Sequence, residues 1–448
     1  MTEVTELDPA APEKLESRVR AILDEARRQG ADAAEVSVSE DVGLSLTVRL
    51  GETETVEFNR DRGFGITVYF GQRKGSASTS DASADGIVDT VAAACSIAKF
   101  TEEDPCNGLA DADLMAREVP DLDLCHPWAL SVDGARDIAL ACESVARTVD
   151  SRIVNSEGAT VNTHQGCRVY GNSHGFVGSF RSTRHSVSCS VIAQDAAGMQ
   201  RDYWYTVARE PSALEDAEAV GREAARRTVA RLGSRRVPTG RYPVVFAPPM
   251  AMGLIGHLLG ALSGGSLYRK ASFLTDSLGR RVMPAGYSVV ERPHIPRALA
   301  SAAFDADGVA TSDKAIVDDG VVASYLLGSY SARRLKMRST ANAGGTHNVL
   351  LEGVSRAPEE LLRTMGRGLV VTELMGQGVN LLTGDYSRGV AGFWVEGGEI
   401  VHPVDETTIA SNLRDMFAGI AASGSDVDLR GGIRTGSVLI DAMTLAAA

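Results

Sequence analysis

Hydrophobic residues in the first half of the chain recur with a helical period in four segments. These segments are residues 13–29, 87–100, 131–149 and 213–232. In the first, apolar side chains fall on one helical face, and Gly30 supplies a stop. Ser80, Asp81 and Ser83 are candidate N-caps of the second. We therefore predict four amphipathic helices, preceded by a loose tail over residues 1–12.

Between these helices, apolar and polar residues alternate in short runs, which is typical of strands. The runs are residues 34–39, 43–50, 53–58, 63–70, 73–79, 153–163, 167–172, 176–185 and 186–194. Polar or glycine-containing residues separate most of them. The pattern predicts an antiparallel meander that packs against the helices.

The pattern changes after the linker-like residues 237–240. One helix is predicted at residues 248–262, and the other elements are glycine-bounded strands. These strands are residues 242–246, 288–291, 315–317, 321–326, 368–373, 392–395 and 399–402. We therefore predict an α+β protein with two domains. Residues 1–236 form helices and an antiparallel sheet, and residues 237–448 form a β-rich domain of barrel or sandwich type.

Composition narrows the class of protein. The chain has 448 residues, 44% of them hydrophobic, and no apolar run long enough to span a membrane. Its net charge of −13 disfavours nucleic-acid binding, and the arginines of residues 222–236 follow acidic residues at helical spacing, as on a solvated helix face. The acidic start predicts no signal peptide, so we expect a cytoplasmic protein.

Cysteine and histidine spacing disfavours a local metal site. Six cysteines lie in the first half without a Cys-x-x-Cys pair, so they are expected to be reduced thiols. No two of the eight histidines lie within six residues of each other. His257 lies on the predicted helix 248–262 without a ligand three or four residues away, which favours a core histidine. A long-range metal site that joins it to His347 or His402 is left open.

The same helix has a second interpretation. Gly256 and Gly260 lie one turn apart and allow another segment to approach closely. Tyr268 and Arg269 follow just beyond its end. The segment is therefore either a packed helix with a surface turn or one wall of a groove.

Several longer motifs carry a family resemblance. They are residues 253–274, 330–333, 343–348, 383–389 and, most specifically, the run GLVVTELMGQGVN at residues 368–380. The chain resembles the TldD/PmbA metallopeptidase family, in its PmbA (TldE) branch.

The resemblance implies a cytoplasmic zinc metallopeptidase made of two proteins. The TldD-type subunit carries a His-Glu-x-x-x-His motif and a later cysteine, and the TldE-type subunit pairs with it to process unfolded or modified peptides, including precursors of peptide antibiotics. In this chain the two histidine positions of the motif fall on Gly256 and Ala261, and the glutamate position falls on His257. None of the three expected residues is present. No cysteine follows Cys189. We expect no metal here and zinc in the partner.

We therefore predict a non-catalytic subunit that shapes the peptide groove of a heterodimer with a TldD-like chain. Self-association of the isolated chain is left open. The alternatives are an independent metallopeptidase with an atypical site around His257 and His347, and a peptide-binding scaffold without activity. The candidates for the groove or the partner interface, of which the last four are expected to form a polar loop, are His257, Tyr268, Arg269, Asp385, Tyr386, Ser387 and Arg388.

Overall fold

The computed structural model of the protein describes residues 7–447, so the first six residues of the predicted tail lie outside the described residues. The five predicted helices begin and end close to the predicted positions, and four short helices in this range were not predicted. The helices are α1 (Ala11–Arg28), α2 (Ala84–Phe100), α3 (Val132–Thr148), α4 (Ala217–Ala230), α5 (Pro248–Ala261), α6 (Gly264–Tyr268), α7 (Ser329–Arg334), α8 (Pro358–Met365) and α9 (Leu413–Ala418). Ser83 caps α2 by accepting a hydrogen bond from the Gly86 N–H. Within the described residues, no helix has the length and hydropathy needed to cross a membrane.

In the first half, one strand spans the predicted residues 73–79, one was not predicted, and the other four are much longer than predicted. The strands are β1 (Ala33–Arg49), β2 (Glu52–Phe70), β3 (Arg73–Thr79), β4 (Ile153–Asn172), β5 (Val177–Asp195) and β6 (Gly198–Ala208). They form one antiparallel sheet in the order β3-β2-β1-β4-β5-β6. Alternate residues of β1 are buried beneath the helices, because successive side chains of a strand point to opposite faces. The other face of the sheet points toward the second half of the chain.

The predicted breaks inside β1, β2, β4 and β5 are wrong. Polar residues in these segments suggested turns, but their side chains contact polar side chains on neighbouring strands of the sheet. Glu40 in β1 contacts Arg62 of β2 at 2.8 Å and Arg60 at 3.4 Å. Asp41 lies 3.2 Å from the His164 ring nitrogen on the neighbouring strand β4. Because these charges are paired within the sheet, the strands continue through them.

The second half is built on a barrel. Its strands are β7 (Gly240–Phe246), β8 (Ser288–Glu291), β9 (Lys314–Asp318), β10 (Val321–Val322), β11 (Val349–Glu352), β12 (Ser355–Arg356), β13 (Gly368–Met375), β14 (Asp385–Glu396), β15 (Glu399–Asn412), β16 (Ile420–Gly424), β17 (Ile433–Arg434) and β18 (Val438–Ala447). Strands β7, β13, β14, β15 and β18 close into a five-stranded barrel, because β18 also pairs with β7. A smaller sheet has the order β10-β9-β8-β11-β17.

The predicted α+β class and barrel-type second half are confirmed. The main core of the second half packs α5 against the barrel and contains Phe246, Leu254, Leu258 and Trp394. The proposed domain boundary between residues 236 and 237 stays a prediction. Sequence analysis missed β6, the short helices α6 to α9, the strands β11, β12, β16 and β17, and the closing strand β18.

Arginine side chains join the two halves. Arg209, at the end of β6, donates hydrogen bonds to the carbonyls of Ala298 and Leu299. Arg430 packs its guanidinium 3.9 Å from the Trp204 ring centroid and donates to the Tyr205 carbonyl. These contacts fix the open face of the first sheet against loops of the second half.

Candidate functional site

A cleft lies between the open face of the six-stranded sheet and the loops of the second half. It consists of two adjoining cavities of about 690 and 570 Å³, which share Glu35, Asp307, Ala343 and Gly344. We call these two cavities together the seam cleft. Strands β1 to β4 form one wall of the larger cavity, while the end of α5 and the start of α7 border the smaller one. The volume of each cavity is in the range of ordinary ligand sites.

Glu35 is held in the seam cleft by two phenols. The Tyr69 and Tyr170 hydroxyls donate to its two carboxylate oxygens at 2.8 and 2.9 Å. Burial raises the pKa of Glu35 and the charge of Asp307 acts in the same direction, although both hydrogen bonds oppose this rise. The carboxylate is thus fixed in place on the polar face of β1.

Two aspartates of one turn face Glu35 from the second half. Asp305 accepts hydrogen bonds from the backbone N–H groups of Asp307, Val309 and Ala343 at 2.9 to 3.0 Å. Burial and the nearby charge of Asp307 raise the pKa of Asp305 to about 6. Asp307 itself accepts from the Ser329 N–H at the start of α7. The turn therefore links the loop at Ala343 with the start of α7 on the second-half wall of the cleft.

A buried ionic network supports the glycine-rich loop that completes the cleft wall. Glu291, which is fully buried, contacts Lys314 Nζ at 2.7 Å and accepts from Asn342 Nδ2 at 3.0 Å. It also accepts from the backbone N–H of His347, whose Nδ1 lies 3.2 Å away. These hydrogen bonds and Lys314 keep the pKa of Glu291 below its ordinary value despite its burial. The segment from Asn342 to His347 is consequently pinned at both ends.

Of the predicted site residues, Tyr268 lines the seam cleft. Its ring lies edge-on to Tyr330 with centroids 5.8 Å apart. The guanidinium groups of Arg269 and Arg334 lie 5.3 and 5.4 Å from the centroid of the Tyr268 ring. The two guanidinium groups are attracted to the Tyr268 ring and add positive charge beside the cleft wall.

Arg269 contacts Tyr268 without lining the seam cleft, and the predicted residues on α5 and β14 do not line it either. The rings of His257 and Tyr386 lie 6.0 Å apart, edge to face. Burial raises the pKa of Tyr386 to about 12. Burial lowers the pKa of His257, and the positive charge of Arg388 lowers it further. The structure thus brings three predicted residues together, but away from the cleft.

The polar loop expected over Asp385, Tyr386, Ser387 and Arg388 is wrong, because these residues begin strand β14 and pair with β15. Asp385 ends the preceding turn by accepting from the Thr383 hydroxyl at 2.6 Å. Arg388 donates from Nε to the Met375 carbonyl. Their roles in a groove or interface stay predictions.

Replacing Arg388 with alanine is expected to raise the pKa of His257 partway toward its ordinary value. Removal of the nearby cation favours the imidazolium, while burial, the larger cause of the depression, remains. An NMR titration of the histidine ring protons measures the shift, with His257→Gln used to assign the signal. Arg269→Ala, which removes a cation near Tyr268, should leave the His257 titration unchanged. An equal shift in both variants would contradict the assignment to Arg388.

The residues at the expected zinc-motif positions do not fit a zinc ion. Gly256 has no side chain, Ala261 is buried in the core, and His257 faces Tyr386. His347 contacts buried Glu291 through Nδ1, so its ring offers a single nitrogen to a metal. Among residues 7–447, no group of three or more His, Cys, Asp or Glu side chains is placed to hold a metal. The donor set therefore lacks the three or so ligands that a catalytic zinc needs.

Three family models match the sequence along its length. They are described as PmbA/TldA metallopeptidase domain 1 at residues 34–98, the central domain at residues 125–232 and the C-terminal domain at residues 239–447. The chain belongs to the PmbA/TldD metallopeptidase family. The resemblance predicted from the motifs is thereby confirmed.

Similar proteins place this family member in the PmbA (TldE) branch. The metalloprotease PmbA of Escherichia coli O157:H7 is 50% identical over 432 residues, which cover 96% of either chain. A PmbA homologue of Haemophilus influenzae is 48% identical and covers 99% of this chain and 98% of its own. A TldD homologue of Buchnera aphidicola is only 20% identical over 66% of each chain.

Solved structures show the same fold as this PmbA/TldD-family chain. A Bacteroides thetaiotaomicron protein described as a proposed modulator of DNA gyrase matches with a TM-score of 0.92 at 24% identity, over 97% of this chain and 99% of that one. TldE from Thermococcus kodakarensis matches with a TM-score of 0.82 at 18% identity, over 96% of this chain and all of that one. At these identities the likeness supports the architecture alone.

Sequence analysis missed the acidic residues of the seam cleft in this family member. Glu35 and Asp307 lie far apart in sequence and no local motif joins them. The signal that was present is the Asp305-Ala306-Asp307-Gly308 run, since aspartate and glycine at this spacing are typical of a tight turn.

Proposed function

We propose that this chain is the non-catalytic, TldE-type subunit of a cytoplasmic zinc metallopeptidase whose TldD-like partner holds the zinc. The observation that carries the proposal is that Gly256, His257 and Ala261 on α5 replace the two histidines and the glutamate of the motif, in a chain that otherwise keeps the family architecture. A zinc peptidase needs about three protein ligands and a base to form hydroxide near neutral pH. The described residues supply no such set.

The seam cleft supports a role in handling peptide substrates. Its wall combines the polar face of β1, an aromatic surface at Tyr268 and a loop with two glycines of positive φ, Gly344 and Gly345. Such a surface offers main-chain and carboxylate groups to an extended chain without selecting a particular sequence. Unfolded or modified peptides are therefore the proposed substrates, with this chain forming one wall of their path.

Two alternatives are separated by simple measurements. An independent metallopeptidase would use an atypical site, and metal analysis of protein purified without added zinc would then find a stoichiometric metal. A scaffold that works without a catalytic partner would fail to co-purify with any protein that carries a His-Glu-x-x-x-His motif. Among residues 7–447, neither His257 nor His347 belongs to a group of three side chains placed to hold a metal, which disfavours the first alternative.

The decisive experiment is co-expression with a His-Glu-x-x-x-His paralogue, followed by assays of each chain alone and of both together. We expect the two chains to co-purify and peptide cleavage to require both. A chelator should abolish that activity, and zinc should restore it. Alanine replacement of the histidines in the paralogue's motif should abolish cleavage, whereas His257→Ala in this chain should leave zinc content unchanged. Chelator-sensitive cleavage by this chain alone would overturn the proposal.

A further inference from the structure

The first half of β2 is a free sheet edge. Strand β3 pairs with β2 only from Phe64 to Phe70. Residues 52–63 pair with β1 on one side, and no described residue pairs with them on the other. Every residue from Glu52 to Arg62 is exposed. Such an edge presents unpaired N–H and C=O groups to another chain.

On the side of the sheet that faces the helices, a row of apolar side chains continues to this edge, where no helix of residues 7–447 covers it. Phe58 and Val56 lie opposite Leu44 and Leu46 of β1 in the register and therefore share their face. Leu44 and Leu46 are buried, whereas Phe58 and Val56 are 42% and 40% exposed. A partner strand with an apolar side chain opposite Phe58 would extend this row.

We propose that the free edge of β2 binds the same edge of a second copy of the chain, antiparallel about a two-fold axis at Phe58. Antiparallel pairing about an axis perpendicular to the sheet keeps each face on its own side. Only registers in which a residue lies opposite its own copy on the axis meet this condition, because they place residues of the same sheet face opposite each other. We call them residue-centred registers.

Charge then selects among the residue-centred registers. If the axis passed through Glu57 or Arg60, that residue would face its own copy, which has the same charge. If it passed through Asn59, Glu57 would face Asp61. A centre at Val56 uses less of the edge, which starts at residue 52. The centre at Phe58 uses the edge from residue 53 to residue 63 and opposes no like charges.

The register centred on Phe58 is self-complementary. On the apolar face it opposes Phe58 to its copy and Val56 to Arg60. Glu54, which lies in the bulge of β2 opposite Thr47 and Val48, comes opposite Arg62. Glu54 and Arg62 are about half exposed, with intramolecular contacts to Arg49 and Glu40. Exposed ion pairs contribute at most about 1 kcal/mol each. Main-chain hydrogen bonds and the paired phenylalanines therefore supply most of the binding, and the charges select the register.

This surface is separate from the proposed peptide path, since none of residues 52–63 lines the seam cleft. The inference therefore goes beyond the proposed function and does not rest on it. The isolated chain suffices for its test.

The test places single cysteines along the edge. Cys106 and Cys125, which are partly exposed, are first changed to serine in every variant. Phe58→Cys should form a disulfide-linked dimer under mild oxidation, because paired antiparallel Cα atoms lie about 4.5–5.5 Å apart, within disulfide range. Val56→Cys is the matched control, since its two copies would lie about 13 Å apart along the strands. Adding Arg60→Cys to Val56→Cys should restore cross-linking.

Sedimentation of the uncross-linked chain gives a second readout. We expect a concentration-dependent dimer that Glu54→Arg weakens about tenfold, equivalent to about 1.4 kcal/mol, because within the described part of the chain the Glu54 carboxylate contacts only the exposed Arg49. All these positions are exposed, so circular dichroism should show intact folding. A monomer at every concentration would overturn the proposal. So would a dimer in which Val56→Cys links as readily as Phe58→Cys, because that dimer would use another surface.

Discussion

Replacing Glu291 with alanine is expected to lower the free energy of unfolding by about 3–5 kcal/mol, because it leaves a buried cation without its partner. Glu291 is fully buried, and Lys314, only 17% exposed, lies 2.7 Å from its carboxylate. The substitution also removes the acceptor of Asn342 and of the His347 backbone N–H. A thermal denaturation scan should therefore show a clear fall of the transition midpoint.

The matched control is Glu352→Ala, which breaks the exposed ion pair of Glu352 with Arg292. We expect that change to cost at most about 1 kcal/mol. If the penalty in Glu291→Ala arises from the stranded Lys314, Glu291→Leu combined with Lys314→Met should recover part of the stability. Equal midpoints for Glu291→Ala and Glu352→Ala would show that the network does not stabilise the fold.

The same network predicts a dependence on pH. The pKa of Glu291 is lowered in the folded chain relative to its ordinary value of 4.5. The stability it contributes is therefore fully present above that value and is lost as the pH falls through the folded pKa. The midpoint difference between the natural chain and Glu291→Ala should narrow only in acid.

Local signals in the sequence were sufficient for the long helices but not for the long strands. Helix α2 has a serine cap and an apolar face within a single segment, so both signals are local. Strand β2 contains the run Asn59-Arg60-Asp61-Arg62, whose composition is that of a turn. It stays extended because Glu40, on the neighbouring strand, contacts both arginines. That contact depends on strand pairing, which a one-dimensional pattern does not contain.

In the candidate site, too, the residues with a local sequence signal could be predicted and those placed by contacts between distant segments could not. Tyr268 follows the predicted α5 closely, and its place in the cleft could be anticipated from the helix and its glycines. Glu35 becomes a cleft residue only because the open sheet face docks against the turn at Asp305 and Asp307. That docking depends on contacts between distant segments, such as those of Arg209 with Ala298 and Leu299.

Replacing Arg209 with leucine is expected to destabilise the chain by at least about 3 kcal/mol and to disturb the seam cleft, because each buried acceptor left unpaired costs about 1–3 kcal/mol. Its guanidinium donates to the carbonyls of Thr183, Ala298 and Leu299 at 2.8 to 3.0 Å. Burial and the nearby Arg184 lower the pKa of Arg209 to about 10, so it stays charged at neutral pH.

The consequence for function follows from where these carbonyls lie. Ala298 and Leu299 precede the segment that carries Ala302, Phe304 and Asp305 into the cleft wall. Losing the clamp should increase hydrogen exchange in that segment and reduce peptide cleavage by the complex with a catalytic partner. Arg209→Lys should restore little, since one ammonium cannot reproduce the planar fork that reaches three carbonyls. Arg201→Leu, at an exposed arginine of the same strand, is the control. If it matched Arg209→Leu in midpoint and exchange, the clamp would have no role in holding the cleft.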